Sequence, residues 1–122
     1  MPKYNSFEDM TVWQRSMQLA EDVHRISSSL PKSEDYGLTS QIRRSALSIS
    51  ANLAEGFGRG TPKDKANFYR YSRGSALETK NHLIYGCRVN YFNENEVSIL
   101  FKNIEEIIFE LNKILKFFST QP

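Results

Sequence analysis

A single cysteine, Cys87, leaves this 122-residue chain unable to close a disulfide within itself. A disulfide-stapled scaffold is therefore excluded, and a reducing compartment suits the sequence. Proline is scarce too: Pro2, Pro31, Pro62 and Pro122 sit at the ends or at loops, and none interrupts the long segments between them. No stretch approaches the ~20 consecutive apolar residues that span a bilayer. The opening MPKYNSFEDM has no apolar core of a signal peptide. A soluble cytoplasmic protein with no membrane partner is the expectation. Strand-like alternation over a useful length is also missing.

Catalytic signatures are equally thin. The two histidines, His24 and His82, fall in different segments, and neither has a Glu-x-x-His or His-x-x-x-His neighbour. No GxxxxGK[ST] sequence occurs, and no Ser/His/acid grouping can be argued from spacing. The expectation is no enzyme, no metal, no cofactor and no small-molecule substrate, with Cys87 a core thiol.

What is present is an ordinary globular composition, 39% hydrophobic and 25% charged, at a length that makes one domain with a real core. Net charge is only +2, but it is unevenly placed. Residues 37–75 hold seven basic side chains against two acids, +5, while residues 1–36 come to −2 and residues 76–122 to −1.

Four segments show helical periodicity. From about 10 to 29, Val12, Ser16, Leu19, Val23, Ile26 and Leu30 recur at spacings of four and three, with Trp13, Met17 and Ala20 beside them. From about 36 to 57, Leu38, Ile42, Ala46, Ile49 and Leu53 make one face. From about 62 to 89, the helix opens on Thr61-Pro62-Lys63-Asp64, a threonine cap followed by proline at the first helical position. Gly74 and Gly86 lie inside it, and since glycine costs ~1 kcal/mol against alanine in a helix, both need a packing reason. From about 94 to 118, Val97, Phe101, Ile104, Ile108, Leu111, Leu115 and Phe118 form one stripe. Leu100, Ile107 and Ile114 form a second, wider than one seam requires. Either that helix is deeply buried in its own bundle, or the second stripe packs on another subunit. Four such helices with short connections predict an all-α, antiparallel up-down four-helix bundle as a single domain.

The glycine cluster GFGRG, residues 56–60, has the outline of a phosphate loop but the wrong context. It follows a helix rather than a strand, and a helix C-terminus carries the negative end of the macrodipole. The start of the next helix is better placed for an anion, with Arg59, Lys63 and Lys65 around free N–H groups. Arg70 and Arg73 share a side of that helix and are flanked by Tyr69 and Tyr71, a pairing that can hold phosphate and stack on bases. Arg43 and Arg44 diverge by about 100° on the preceding helix. These seven are the candidate nucleic-acid-binding residues; solvated surface charge and core-edge tyrosines are the alternative. Gln41, Ser45, Ser48, Asn52 and Glu55 form a polar stripe, either solvent-facing or paired across an oligomer interface. With that stripe, Gln41, Asn52, Glu55, Leu100, Ile107 and Ile114 are the candidate interface residues.

Three blocks carry a resemblance: FEDMTVWQRSMQLAEDVHRI (7–26), YGLTSQIRRSALSISANLAEGFGR (36–59) and FYRYSRGSALET (68–79). They resemble the four-helix bundle proteins encoded in intervening sequences of bacterial 23S ribosomal RNA genes. The resemblance implies an up-down bundle assembled as a ring-like homopentamer, without enzymatic activity. A related branch is the accessory protein of diversity-generating retroelements, whose basic ring engages nucleic acid and a reverse transcriptase. Two functions therefore stand as expectations: an oligomeric bundle binding RNA or DNA through its basic residues, or a protein-interaction scaffold whose basic residues pair with acids.

Overall fold

The computed structural model describes residues 3–121 and contains four long helices. They are α1 (Thr11–Ser27), α2 (Leu38–Phe57), α3 (Pro62–Arg88) and α4 (Glu94–Ser119). Two single 3-10 turns, Phe7–Asp9 before α1 and Lys32–Glu34 in the α1–α2 loop, complete the chain, and no strand occurs among the described residues.

Side-chain register makes every neighbouring pair antiparallel. Arg43 near the start of α2 reaches Ser27 at the end of α1. Ser45 meets Thr79, and Ile49 meets Ser72, so α2 and α3 run in opposite senses. Arg73 bonds Asn112 while Lys80 bonds Glu105, and Thr11 bonds Glu110 while Arg15 bonds Glu106. The helices close into a ring of four in the order α1, α2, α3, α4, an up-down bundle.

Local chemistry sets the helix ends. Thr61 Oγ1 accepts from the Asp64 amide at 3.1 Å, with Pro62 in the first turn. Asn93 Oδ1 accepts from the Asn95 amide at 2.8 Å to start α4. The corner between α3 and α4 turns on Asn90, whose φ of 65° is the left-handed region that asparagine tolerates. The next two amides, of Tyr91 and Phe92, both donate to the Gly86 carbonyl. Helix α2 ends without a left-handed residue. Gly58 is right-handed rather than left-handed, and its N–H bonds back to Ala54 and Glu55. The glycine therefore ends α2 without the left-handed cap its identity suggests.

The apolar faces of α1 and α2 read from the sequence are buried: Val12, Leu19, Val23 and Ile26 meet Leu38, Ile42, Ala46, Ile49 and Leu53. Each fully buried leucine or isoleucine is worth roughly 1.5–3 kcal/mol of transfer free energy. Between α2 and α3 the contact is small and polar instead. The Ser72 hydroxyl donates to the Ile49 carbonyl at 2.8 Å, and the Thr79 hydroxyl to Ser45 at 2.9 Å, beside Ala46 and Ala76. Small residues let the two backbones approach, which the interhelical bond to a helix carbonyl requires. At one end of this contact, Gly56 faces Tyr69, whose ring leaves no room for a Cβ.

On α4 both predicted stripes contribute to the core. Leu100, Ile107 and Ile114 are buried in this chain's own core with Val97, Ile104 and Leu111, whereas Phe101, Ile108 and Phe118 are only half-buried. The stripe assigned to a subunit interface is therefore core. Leu100, Ile107 and Ile114 are corrected accordingly, because the bundle axis lies between the two stripes rather than on the first.

Candidate nucleic-acid interface

The seven basic candidates do not form one patch. Arg43 lies in the α1–α2 groove, where Nε donates to Ser27 Oγ at 2.7 Å and the guanidinium also reaches the His24 carbonyl and Ser28. There it holds one carbonyl and two hydroxyls at the C-terminal end of α1, a favourable place for a cation. Arg44 lies on the other side of α2 and forms an ion pair with Glu78 of α3 at 2.7 Å, with His82 at 3.4 Å from the same carboxylate. Arg73 crosses to Asn112 of α4 at 2.9 Å. Lys65 turns back to donate to the Phe57 carbonyl at 2.6 Å and the Gly56 carbonyl at 3.4 Å. These four bind the bundle together, and their positions on three different grooves disperse the +5 segment.

Arg59, Lys63 and Arg70 remain on the outside, at the corner where α2 turns into α3. The Arg59 guanidinium pairs with Glu55 at 2.7 Å and lies 4.5 Å over the Phe68 ring. Phe68 meets Tyr71 edge-on at 5.6 Å, and Tyr71 is 59% exposed. Lys63, Asn67 and Arg70 recur at four and three residues, so they share the outward side of α3. Arg70 bonds only Asn67, at 3.0 Å, and Lys63 makes no ion pair among the described residues. The corner thus combines Arg59 over the Phe68–Tyr71 pair with Lys63 at the positive end of the α3 dipole and Arg70 two turns further along the same side.

The polar stripe of α2 divides. Ser45 is buried against Thr79, and Asn52 is half-buried with its amide on the Ser48 carbonyl. Gln41 accepts from Arg44, and Glu55 accepts from Arg59, so both are partnered within the chain. Sequence reasoning missed a different exposed surface. Leu77, Ile84 and Tyr85 are 52%, 42% and 49% exposed on the C-terminal half of the outward side of α3. Gly74, beside them, has nothing within 4 Å of the position its Cβ would take. The seven-residue spacing of Leu77 and Ile84 was the available signal.

The remaining polar clusters are committed to structure. Glu34 Oε1 accepts from the Leu38 amide at 3.1 Å and Oε2 from the Tyr91 hydroxyl at 2.8 Å, tying the α1–α2 loop to the α3–α4 corner. Those two bonds, the backbone one foremost, lower the Glu34 pKa, and the bond to Glu34 raises that of Tyr91. The Cys87 thiol is half-buried and pushed up in pKa, chiefly by burial and secondarily by Glu94. In the α1–α4 cleft, Arg15 is shared between Glu106 and Glu110, and Arg25 holds Asp22 at 2.6 Å. No helix among the described residues is long and apolar enough to cross a membrane.

These features define an all-α bundle with a basic, aromatic corner and an apolar outer helix face. The family described as 23S rRNA-intervening sequence protein matches residues 8–113, and the chain belongs to that family. Among solved structures it is similar to a protein of unknown function from the S23 ribosomal protein family of Bacteroides thetaiotaomicron. The TM-score is 0.81 at 24% identity, covering 87% of this chain and 99% of that one, which establishes the shared fold. No curated protein matches the chain.

Proposed function

We propose that this chain is a non-enzymatic helical bundle that self-associates and contacts nucleic acid through its α2–α3 corner. The observation that carries the reading is the α2–α3 corner, where Lys63 and Arg70 share the outward side of α3 without a carboxylate partner among the described residues and Arg59, paired with Glu55, lies over the Phe68 ring beside the exposed Tyr71. Cations of this kind neutralise phosphates, and an exposed tyrosine offers a stacking face to an unpaired base. Assembly of several copies, five by the family resemblance, multiplies a contact that is weak in one subunit. The non-enzymatic part is supported by the α1–α4 cleft, whose carboxylates are held in ion pairs with Arg15 and Arg25.

Anisotropy titration of a labelled RNA hairpin tests the corner, comparing the native chain with the K63E/R70E double variant. Both positions are exposed and helical, so the variant keeps the fold. The expected result is at least tenfold weaker binding by the variant; equal binding would overturn the assignment. A second reading, a protein-interaction scaffold without a nucleic-acid role, is favoured by the exposed Leu77, Ile84 and Tyr85. Light scattering together with the titration separates the two: an oligomer that binds no RNA at low salt supports the scaffold alone.

A further inference from the structure

The end of the bundle that carries the α2–α3 corner also contains a cleft of about 490 Å³, within the roughly 300–1,000 Å³ typical of small-molecule sites. Its walls come from four parts of the chain: Lys3, Tyr4 and Met10 of the N-terminal strap, Phe57 of α2, Lys65 and Tyr69 of α3, and Phe117 and Phe118 of α4. The lining is mostly aromatic or aliphatic, interrupted by the ammonium groups of Lys3 and Lys65 and the hydroxyls of Tyr4 and Tyr69. Lys3 is exposed, whereas Lys65 is half-buried and Tyr69 buried, and both of these have unused capacity.

Tyr69 is only 2% exposed, its ring packed 5.5 Å from that of Phe118. Its hydroxyl nonetheless makes no hydrogen bond among the described residues. The hydroxyl is not sealed away but keeps some access to solvent at the cleft, which leaves it free to donate to a ligand there. Lys65 is half-buried, and its ammonium donates to the Phe57 and Gly56 carbonyls. An ammonium has three donors, so one remains. Lys65 also has no carboxylate partner among the described residues, and burial lowers its pKa. A cation facing an apolar cleft with carbonyl dipoles and the Phe57 ring, 5.5 Å away, around it lacks a counter-charge.

We propose that this cleft binds a small amphipathic carboxylate, its acid group held by Lys65 and the Tyr69 hydroxyl and its apolar body lying among Met10, Phe57, Phe117 and Phe118. The carboxylate supplies the acceptor that Tyr69 lacks and the negative charge that Lys65 lacks. The aromatic walls take the hydrocarbon out of water. A neutral alcohol of the same length gains the second contribution without the first, which makes the pair of ligands diagnostic.

The test is calorimetric titration of the full chain with octanoate and with octanol, accompanied by NMR shifts of the Met10 methyl. Octanoate is expected to bind at sub-millimolar concentration, at least tenfold more tightly than octanol, and to shift the Met10 signal. Tyr69→Phe removes only the hydroxyl and is expected to weaken octanoate severalfold while leaving octanol unchanged. Lys65→Met is expected to abolish the preference for the acid, and Lys65→Arg to retain it. Equal affinity for acid and alcohol, no octanoate binding at millimolar concentration, or full binding by the folded Lys65→Met variant would each overturn the assignment.

Discussion

Gly86→Ala is a one-methyl substitution with a calculable consequence. A Cβ at Gly86 would come closer than 3.0 Å to two atoms of the Phe92 ring, a separation real Cβ atoms do not show. Phe92 is 4% exposed, and its amide is bonded to the Gly86 carbonyl, so the ring cannot step aside cheaply. Overpacking of this kind costs roughly 1–3 kcal/mol, bounded by the roughly 3–5 kcal/mol lost when a core phenylalanine is removed altogether. Against it stands a gain of about 1 kcal/mol for alanine over glycine in a helix. Because the ring is held in place, the cost falls in the upper part of that range, about 2–3 kcal/mol, and the expected net loss is about 1–2 kcal/mol, read from urea unfolding followed by far-UV circular dichroism at fixed protein concentration. In a Phe92→Ala background the obstacle is gone, and the same Gly86→Ala change should stabilise by about 0.5–1 kcal/mol. An unchanged or higher stability for Gly86→Ala alone would refute the reasoning, as would the same loss in both backgrounds.

Gly74→Ala should behave oppositely, because its Cβ meets open space: a gain of about 0.5–1 kcal/mol in urea unfolding of the monomer. Loss of oligomer mass by light scattering in that variant would instead mark Gly74 as a contact between copies. At Asn90, with φ of 65°, glycine should be tolerated within about 0.5 kcal/mol, whereas valine should cost about 1–2 kcal/mol in the same assay. Glu34 has a pKa below its ordinary 4.5, so its contribution is present above that value and fades as pH falls through the folded one. Tyr91→Phe removes one of the two bonds that lower it, and the acid-unfolding midpoint should move to higher pH; no movement would refute the role of that bond.

The helices were legible because their faces are continuous. The four-three spacings of α1 and α2 named the buried residues directly, and Thr61-Pro62-Lys63-Asp64 marked a cap that forms as read. On α4 the apolar arc is too wide for periodicity to locate its centre, which is why Leu100, Ile107 and Ile114 were placed on a subunit boundary. The functional candidates were less legible for a related reason. An arginine side chain reaches across a groove, and sequence spacing cannot say whether it ends in solvent or on a partner such as Glu78 or Asn112. The serines of α2 look solvent-facing until α3 brings Thr79 to Ser45. Gly86 was flagged for a packing reason, but only the corner geometry identifies Phe92 as that reason.

The central proposal, nucleic acid held by the α2–α3 corner, is tested most directly by the salt dependence of RNA binding. Three phosphate contacts per subunit give a log–log slope of about −2 to −3, so raising salt from about 50 to about 200 mM should weaken binding by about 20–40-fold. The K63E/R70E variant should fall to a slope near −1 or lose binding altogether. An RNA affinity that is insensitive to salt, or the native slope persisting in the variant, would contradict it.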